Sequence, residues 1–117
     1  VSEEEISMKL VKAIFRPEKF QQVKAALAEK GFYAMTVTEV RGRGEQKGIA
    51  LQYRGGQIAV DLLPKIKIEM VVQDTYAQSV VHIIREAAWT GKMGDGKIFI
   101  LPVELMVRVR DDETMME

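Results

Sequence analysis

Apolar and polar positions along the chain follow two rhythms, one repeating every second residue and one close to every 3.6. Met8 to Phe15 (MKLVKAIF) is short, mainly apolar and closed by Arg16-Pro17, which predicts a strand buried on both faces. Pro17 suits the first turn of a helix, where its missing N–H leaves no bond unmade. Phe20, Val23, Ala26 and Leu27 share one helical face through to Lys30, and Gly31 is placed to cap that helix. Ala34 to Val40 (AMTVTEV) is rich in β-branched residues and predicts a strand. From Ile66 to Val72 the alternation is strict, with Ile66, Ile68, Met70 and Val72 on one face and Lys67 and Glu69 on the other. A second helix, capped by Asp74 or Thr75, carries the stripe Ala77, Val80, Val81, Ile84, Ala87 and Ala88. Ile98 to Leu101 predicts a brief strand. Val103, Leu105, Val107 and Val109 then alternate with Glu104, Met106, Arg108 and Arg110, which predicts a two-faced strand.

The resulting order, β-α-β-loop-β-α-β, predicts an α+β domain of the ferredoxin-like βαββαβ kind: an antiparallel sheet with both helices on one face. At 117 residues there is room for one such domain. A composition 47% apolar and 29% charged excludes collagen-like and disordered classes, because it supplies a core. A core this small makes assembly with further copies plausible. With no cysteine and a single histidine, His82, disulfide frameworks, thiolate metal sites and histidine-rich metal sites are excluded. No apolar stretch approaches the roughly 18–20 residues of a membrane span, so no direct membrane insertion is expected. The acidic start is the reverse of a secretory signal's, and a cytoplasmic location is expected.

Charge is balanced in number but not in place, with 17 basic and 17 acidic residues overall. Seven acids and no bases lie in residues 1–7 and 111–117, so the body from Met8 to Arg110 carries an excess of seven positive charges between two acidic tails. That body favours an anionic ligand, a nucleic acid or an acidic partner. Aromatic residues make up only 7%, and no strand interleaves them with bases, so nucleic acid ranks last and is not expected as a partner.

Two glycine-rich stretches lie among basic residues. The first belongs to an unusually long loop, Arg41 to Lys65, with Arg41, Arg43, Lys47, Arg54 and Lys65 against Glu45 and Asp61. The second is Gly91-Lys92-Met93-Gly94-Asp95-Gly96-Lys97. Its spacing approaches that of a P-loop, but Ile98 replaces the Mg²⁺-binding hydroxyl and the segment runs from helix to strand, the reverse order. It is then either a turn offering amides and the Lys97 ammonium to an anion or a plain connection between elements. Arg108 and Arg110, on one face of the predicted strand, either clamp an anion or are neutralised by the acidic tail. His82 reads as a surface histidine, and Trp89 and the methionines as packing. Tyr53 and Arg54 are residue types that anchor interfaces. No catalytic set of Ser/His/Asp, Cys/His or paired carboxylates is found.

The segments MTVTEV (35–40), GRGEQKG (42–48), QYRGG (52–56), DLLPKIKIE (61–69), TGKMGDGKIFILPV (90–103) and VRVR (107–110) together resemble the PII nitrogen-regulatory signal-transduction proteins from Met8 to Arg110. The resemblance implies a homotrimer with nucleotide sites in the clefts between neighbours, where ATP and ADP compete and 2-oxoglutarate binds beside Mg²⁺-ATP. It implies nucleotide-binding roles for Thr36, Gly42, Gly44, Gln46, Gly94, Asp95, Gly96, Lys97, Arg108 and Arg110. For 2-oxoglutarate it implies Gln46, Lys47 and Lys65, with the Gln46 side-chain oxygen also ligating Mg²⁺. The loop over 41–65 corresponds to the family's T-loop, which docks onto targets, with Tyr53 and Arg54 as partner contacts. Ile58 stands where many members carry a modifiable tyrosine, so uridylylation there is not expected, and Glu45 replaces an arginine that assists the γ-phosphate.

The implied function is a non-enzymatic sensor of nitrogen, carbon and energy state acting on an ammonium transporter. A nitrogenase-associated regulator is the alternative, since GRGEQKGI resembles that branch. Slow ATP hydrolysis at the same cleft is the alternative of another class.

Overall fold

The computed structural model describes residues 7–44, 49–53, 56–60, 62–111 and 114–116. The chain opens with β1 (Met8–Phe15), a 3₁₀ turn (Pro17–Lys19) and α1 (Phe20–Glu29), followed by β2 (Thr36–Gly42). A short ribbon of β3 (Ile49–Tyr53) and β4 (Gly56–Val60) precedes β5 (Leu63–Gln73) and α2 (Asp74–Ala88). The chain then forms β6 (Gly96–Val103), β7 (Leu105–Val107) and β8 (Thr114–Met116). The main sheet has the order β2-β5-β1-β6 with every neighbouring pair antiparallel. This is the ferredoxin-like arrangement that the alternation of periods predicts.

The core lies between the sheet and the two helices. Val11, Ala13 and Phe15 from β1 and Ile68, Met70 and Val72 from β5 meet Val23 and Leu27 of α1 and Ala77, Val80, Ile84 and Ala88 of α2. The period-two and period-3.6 stripes therefore face each other, and each large aliphatic side chain so buried contributes about 1.5–3 kcal/mol. Gly31 ends α1 as expected: its φ is +89°, its amide donates to the Ala28 carbonyl (2.9 Å), and the Phe32 amide reaches back to Leu27 (2.9 Å). Those two bonds satisfy carbonyls that a helix end otherwise leaves open.

Several expectations require correction. The opposite face of β1, including Leu10, Lys12 and Ile14, is only half-buried, because both helices lie on the other side of the sheet. α2 begins at Asp74, with Gln73 as N-cap and no side-chain cap bond; the Asp74 amide instead donates to the Ser7 carbonyl (2.9 Å). Residues 41–65 contain the β3–β4 ribbon and the first residues of β5, since Leu63 to Lys65 pair with β2. The two strands predicted near the C-terminus are divided differently. β6 runs without a break through Pro102 to Val103, as an edge strand tolerates a proline. The strand predicted from Val103 to Arg110 is reduced to β7, and Arg108 and Arg110 lie beyond it.

Candidate functional site

Direct pairing places Lys67 of β5, Ile14 of β1 and Lys97 of β6 in one row across three strands, on the face away from the helices. Lys65, two residues before Lys67, shares that face, as does Phe99. Beyond this row the sheet ends in Arg16, the Gly42–Gly44 segment and the α2–β6 turn. These elements enclose a cleft of about 460 Å³ lined by Ile14, Gly42, Arg43, Gly44, Leu63, Lys65, Phe99 and residues 92–97. The larger open groove of about 550 Å³, between Lys30 and the outer face of α2, holds neither glycine-rich segment.

The turn from Thr90 to Asp95 is shaped by glycine and by one carboxylate. Gly91 and Gly94 have φ of +85° and +93°, a region that disfavours side chains. A Cβ at Gly91 would lie 2.9 Å from the Trp89 ring. Asp95 is turned into the loop: its Oδ2 accepts the amides of Thr90 (2.8 Å) and Gly91 (2.9 Å), and its Oδ1 accepts the Thr90 hydroxyl and Arg16 Nε (3.0 Å). Arg16 Nη2 also donates to the Met93 carbonyl (2.7 Å), and the Lys65 ammonium to the Gly94 carbonyl.

These contacts set the charge states. Desolvation of Asp95 favours its neutral form, but the bonds from Thr90, Arg16 and Gly91 outweigh it and hold the carboxyl well below the usual carboxylate range. Burial, and then the Arg16 guanidinium, lower the pKa of Lys65, against a smaller opposite pull from Glu18 and Asp95. Because the folded-state pKa of Asp95 is depressed, its contribution to stability is complete above the unfolded value near 4 and is lost as the pH falls through the folded value. Asp95→Asn should therefore cost stability at neutral pH and narrow its deficit against the wild type below about pH 4. Melting curves of both proteins across that range test this; a deficit that is constant with pH removes the assignment.

Within one chain the cleft gathers Gly42, Gly44, Lys65, Gly94, Asp95, Gly96 and Lys97. Three other expected residues lie elsewhere. Thr36 begins β2 opposite Glu69, about 20 Å along the strand from Gly42. Arg108 and Arg110 follow β7, past the Val103 end of β6, which is about 23 Å from its Gly96 end. Both guanidiniums reach Asp111 Oδ2 at 3.4 Å, so the acidic tail partners them, and their expected projection from one strand face is not found. Gln46, Lys47 and Arg54 lie outside the described residues, and Tyr53 is described only as part of β3. His82 is exposed, as expected, and pairs with Glu86 at 2.9 Å. Trp89 and Met93, expected as packing, are 63% and 71% exposed, because the turn lies outside the core.

Arg16, Thr90 and the Met93 carbonyl belong to the site although the residue pattern did not single them out for it. The clue to Arg16 is its place: it follows β1, whose last residue, Phe15, pairs with Ile66 of β5 and with Gly96, the first residue of β6.

The sequence profile of the family described as "Nitrogen regulatory protein P-II" matches residues 8–113. The chain is 54% identical over 109 residues to "Nitrogen regulatory protein P-II 2" of Methanothermobacter thermautotrophicus, covering 93% of this chain and 95% of that protein. It is 53% identical over 107 residues to "Nitrogen regulatory protein GlnK2" of Haloferax mediterranei, covering 92% and 87% of the two. Its fold matches the crystal structure of Arabidopsis thaliana PII bound to citrate with a TM-score of 0.74 and 39% identity, over 97% of this chain and 92% of that one. A family of regulatory proteins, not enzymes, is thus matched across sequence and fold, and the chain belongs to the nitrogen regulatory protein P-II family.

Proposed function

We propose that this chain is a non-enzymatic sensor that binds ATP or ADP in the cleft at the α2–β6 turn and 2-oxoglutarate beside Mg²⁺-ATP. Its occupancy is passed to a nitrogen-metabolism target, such as an ammonium transporter, through residues 41–65. One observation carries the reading: two glycine-rich segments far apart in sequence meet Lys65 and Lys97 in one cleft. Glycine lets phosphate oxygens approach backbone amides, and the ammonium groups supply charge-assisted bonds of about 1.5–3 kcal/mol each. The citrate named with the Arabidopsis relative is a carboxylate anion, which supports a place for an organic acid in this family.

The described donors of the cleft are amides and cations, which suit anions. Gln46 would hold Mg²⁺ through its side-chain oxygen, the ligand type this ion prefers. When bound, the ion would supply positive charge that offsets the negative charge of the polyphosphate and the keto acid. Lys65 would pair with a carboxylate of that acid after leaving the Gly94 carbonyl.

A homotrimer is part of the proposal. The sheet face away from the helices leaves Val71, Phe99 and Leu101 more than a third exposed beside Leu10 and Ile14, an apolar surface suited to further copies. Such packing would allow Arg108 and Arg110 of one copy to reach a polyphosphate held by Lys97 of its neighbour. Light scattering should return three times 13.2 kDa.

Calorimetry tests the ligand reading. Mg²⁺-ATP should bind, and 2-oxoglutarate should tighten it about tenfold, a coupling of about 1.4 kcal/mol. Gln46→Ala and Lys65→Ala should abolish the tightening. Coupling that survives in both variants would remove their assigned roles.

A further inference from the structure

Asp95 is fully engaged within the turn itself. A carboxylate offers about four lone-pair sites, and here four donors occupy them: two amides, a hydroxyl and a guanidinium. The Thr90 hydroxyl is fixed in turn, accepting the Lys92 amide at 3.2 Å. Asp95 thus organises the loop and has no oxygen turned to a ligand. The loop is tied to the sheet by Arg16, which grips Asp95 and the Met93 carbonyl together, and by Lys65 on the Gly94 carbonyl. Both Arg16 and Asp95 have side chains only about a quarter exposed, at 24% and 23%, so this grip is partly shielded from water.

We propose that Arg16 is a positioning residue of the cleft: by holding Asp95 and the Met93 carbonyl, it fixes Gly94 to Lys97 against the end of β1 and sets the affinity for a polyphosphate it does not touch. This rests on the nucleotide reading above. The planar guanidinium suits the task because its Nε and Nη2 reach two acceptors from one rigid group, and an ammonium cannot copy that fork. Arg16 also follows the central strand, held by ladders on both sides, so it ties the turn to a rigid part of the sheet.

The experiment titrates Mg²⁺-ATP, without 2-oxoglutarate, into the wild type, Arg16→Gln, Arg16→Lys, Asp95→Asn and the Arg16→Gln/Asp95→Asn double variant across a KCl series. Amide hydrogen exchange at Thr90 and Gly91 is followed in the same proteins. Each single variant should bind about tenfold more weakly, and the double variant about as weakly as the singles, because all three break one network. Arg16→Lys should behave as Arg16→Gln does. Exchange at both amides should quicken without ligand. The slope of log affinity against log salt should match the wild type, since no phosphate-bound charge is lost.

Wild-type affinity in Arg16→Gln, full rescue by Arg16→Lys, additive losses in the double variant or a reduced salt slope would each overturn the proposal. If Arg16→Gln fails to fold, Thr90→Val carries the comparison. It removes one donor to Asp95 and should weaken binding about threefold with an unchanged slope, and unchanged affinity overturns the role. A wild type that takes up no Mg²⁺-ATP defeats the nucleotide reading and this role together, whereas binding that is equal in all variants defeats the positioning role alone.

Discussion

Gly96→Ala is expected to strip the domain of much of its stability. Gly96 opens β6 at a φ of +111°, paired with Phe15 of the central strand. A Cβ there would stand 1.8 Å from the Ile14 carbonyl oxygen, 2.8 Å from the Ile14 carbonyl carbon and 2.9 Å from the Phe15 Cα. All three are backbone atoms of β1, which is laddered to β5 and β6, so relief requires moving the middle of the sheet. A clash of this kind belongs among the exceptional substitutions that cost about 4 kcal/mol or more, against a whole-domain stability of about 5–15 kcal/mol. The urea midpoint should fall by at least about 1 M, or soluble folded protein should be lost. Gly31→Ala is the control: φ is +89° there too, but nothing lies within 4 Å of the added carbon, so only left-handed backbone strain of about 1–2 kcal/mol is expected. Equal losses in the two variants would show that conformation, and not the approach of Ile14, makes position 96 intolerant.

Lys97→Ala is expected to cost about 10- to 150-fold in Mg²⁺-ATP affinity, the equivalent of one charge-assisted bond of about 1.5–3 kcal/mol, with little change in melting temperature. Lys97 is exposed at the start of β6 and projects from the face that bears the cleft, so its loss opens no cavity in the core. Lys24→Ala separates charge from position. Lys24 lies on α1 over the Phe20 ring, 5.7 Å from its centroid, and its removal changes net charge equally. A similar loss of affinity in both variants would mean that the overall positive field of the body, and not a contact in the cleft, holds the nucleotide.

The legible parts of the fold are those in which a single element fixes its own burial. Ile68, Met70 and Val72 lie on one face because strand geometry alternates, and Ala77, Val80, Ile84 and Ala88 because a helix returns every 3.6 residues. Gly31 was legible for the same kind of reason, its cap bonds being local. The β3–β4 ribbon is hidden in the sequence because its strands, IALQY and GQIAV, are short and stand within a stretch rich in glycine and basic residues. Val109 continues the alternation and so predicts a longer strand than β7, although its 96% exposure shows that nothing packs on it. At the cleft, residue types at their spacings pointed to Gly94, Gly96 and Lys97. No local pattern marks Arg16, because its partners are Asp95 and Met93, 79 and 77 positions away.

By itself the sequence determined the order of the main strands and the two helices, the core faces of β5 and α2, and the family, since each depends on neighbours within a few residues or on the run of types along the chain. Tertiary structure alone decided what meets at the end of the sheet. The antiparallel register brings Gly96 onto Ile14, Lys97 into a row with Lys67, and Arg16 beneath the turn that Asp95 organises. Arg108 and Arg110, which follow β7, do not line the cleft that holds Lys97. The physical reason is that strand pairing converts positions remote in sequence into neighbours, and no local pattern records which carboxylate a guanidinium will find across that distance.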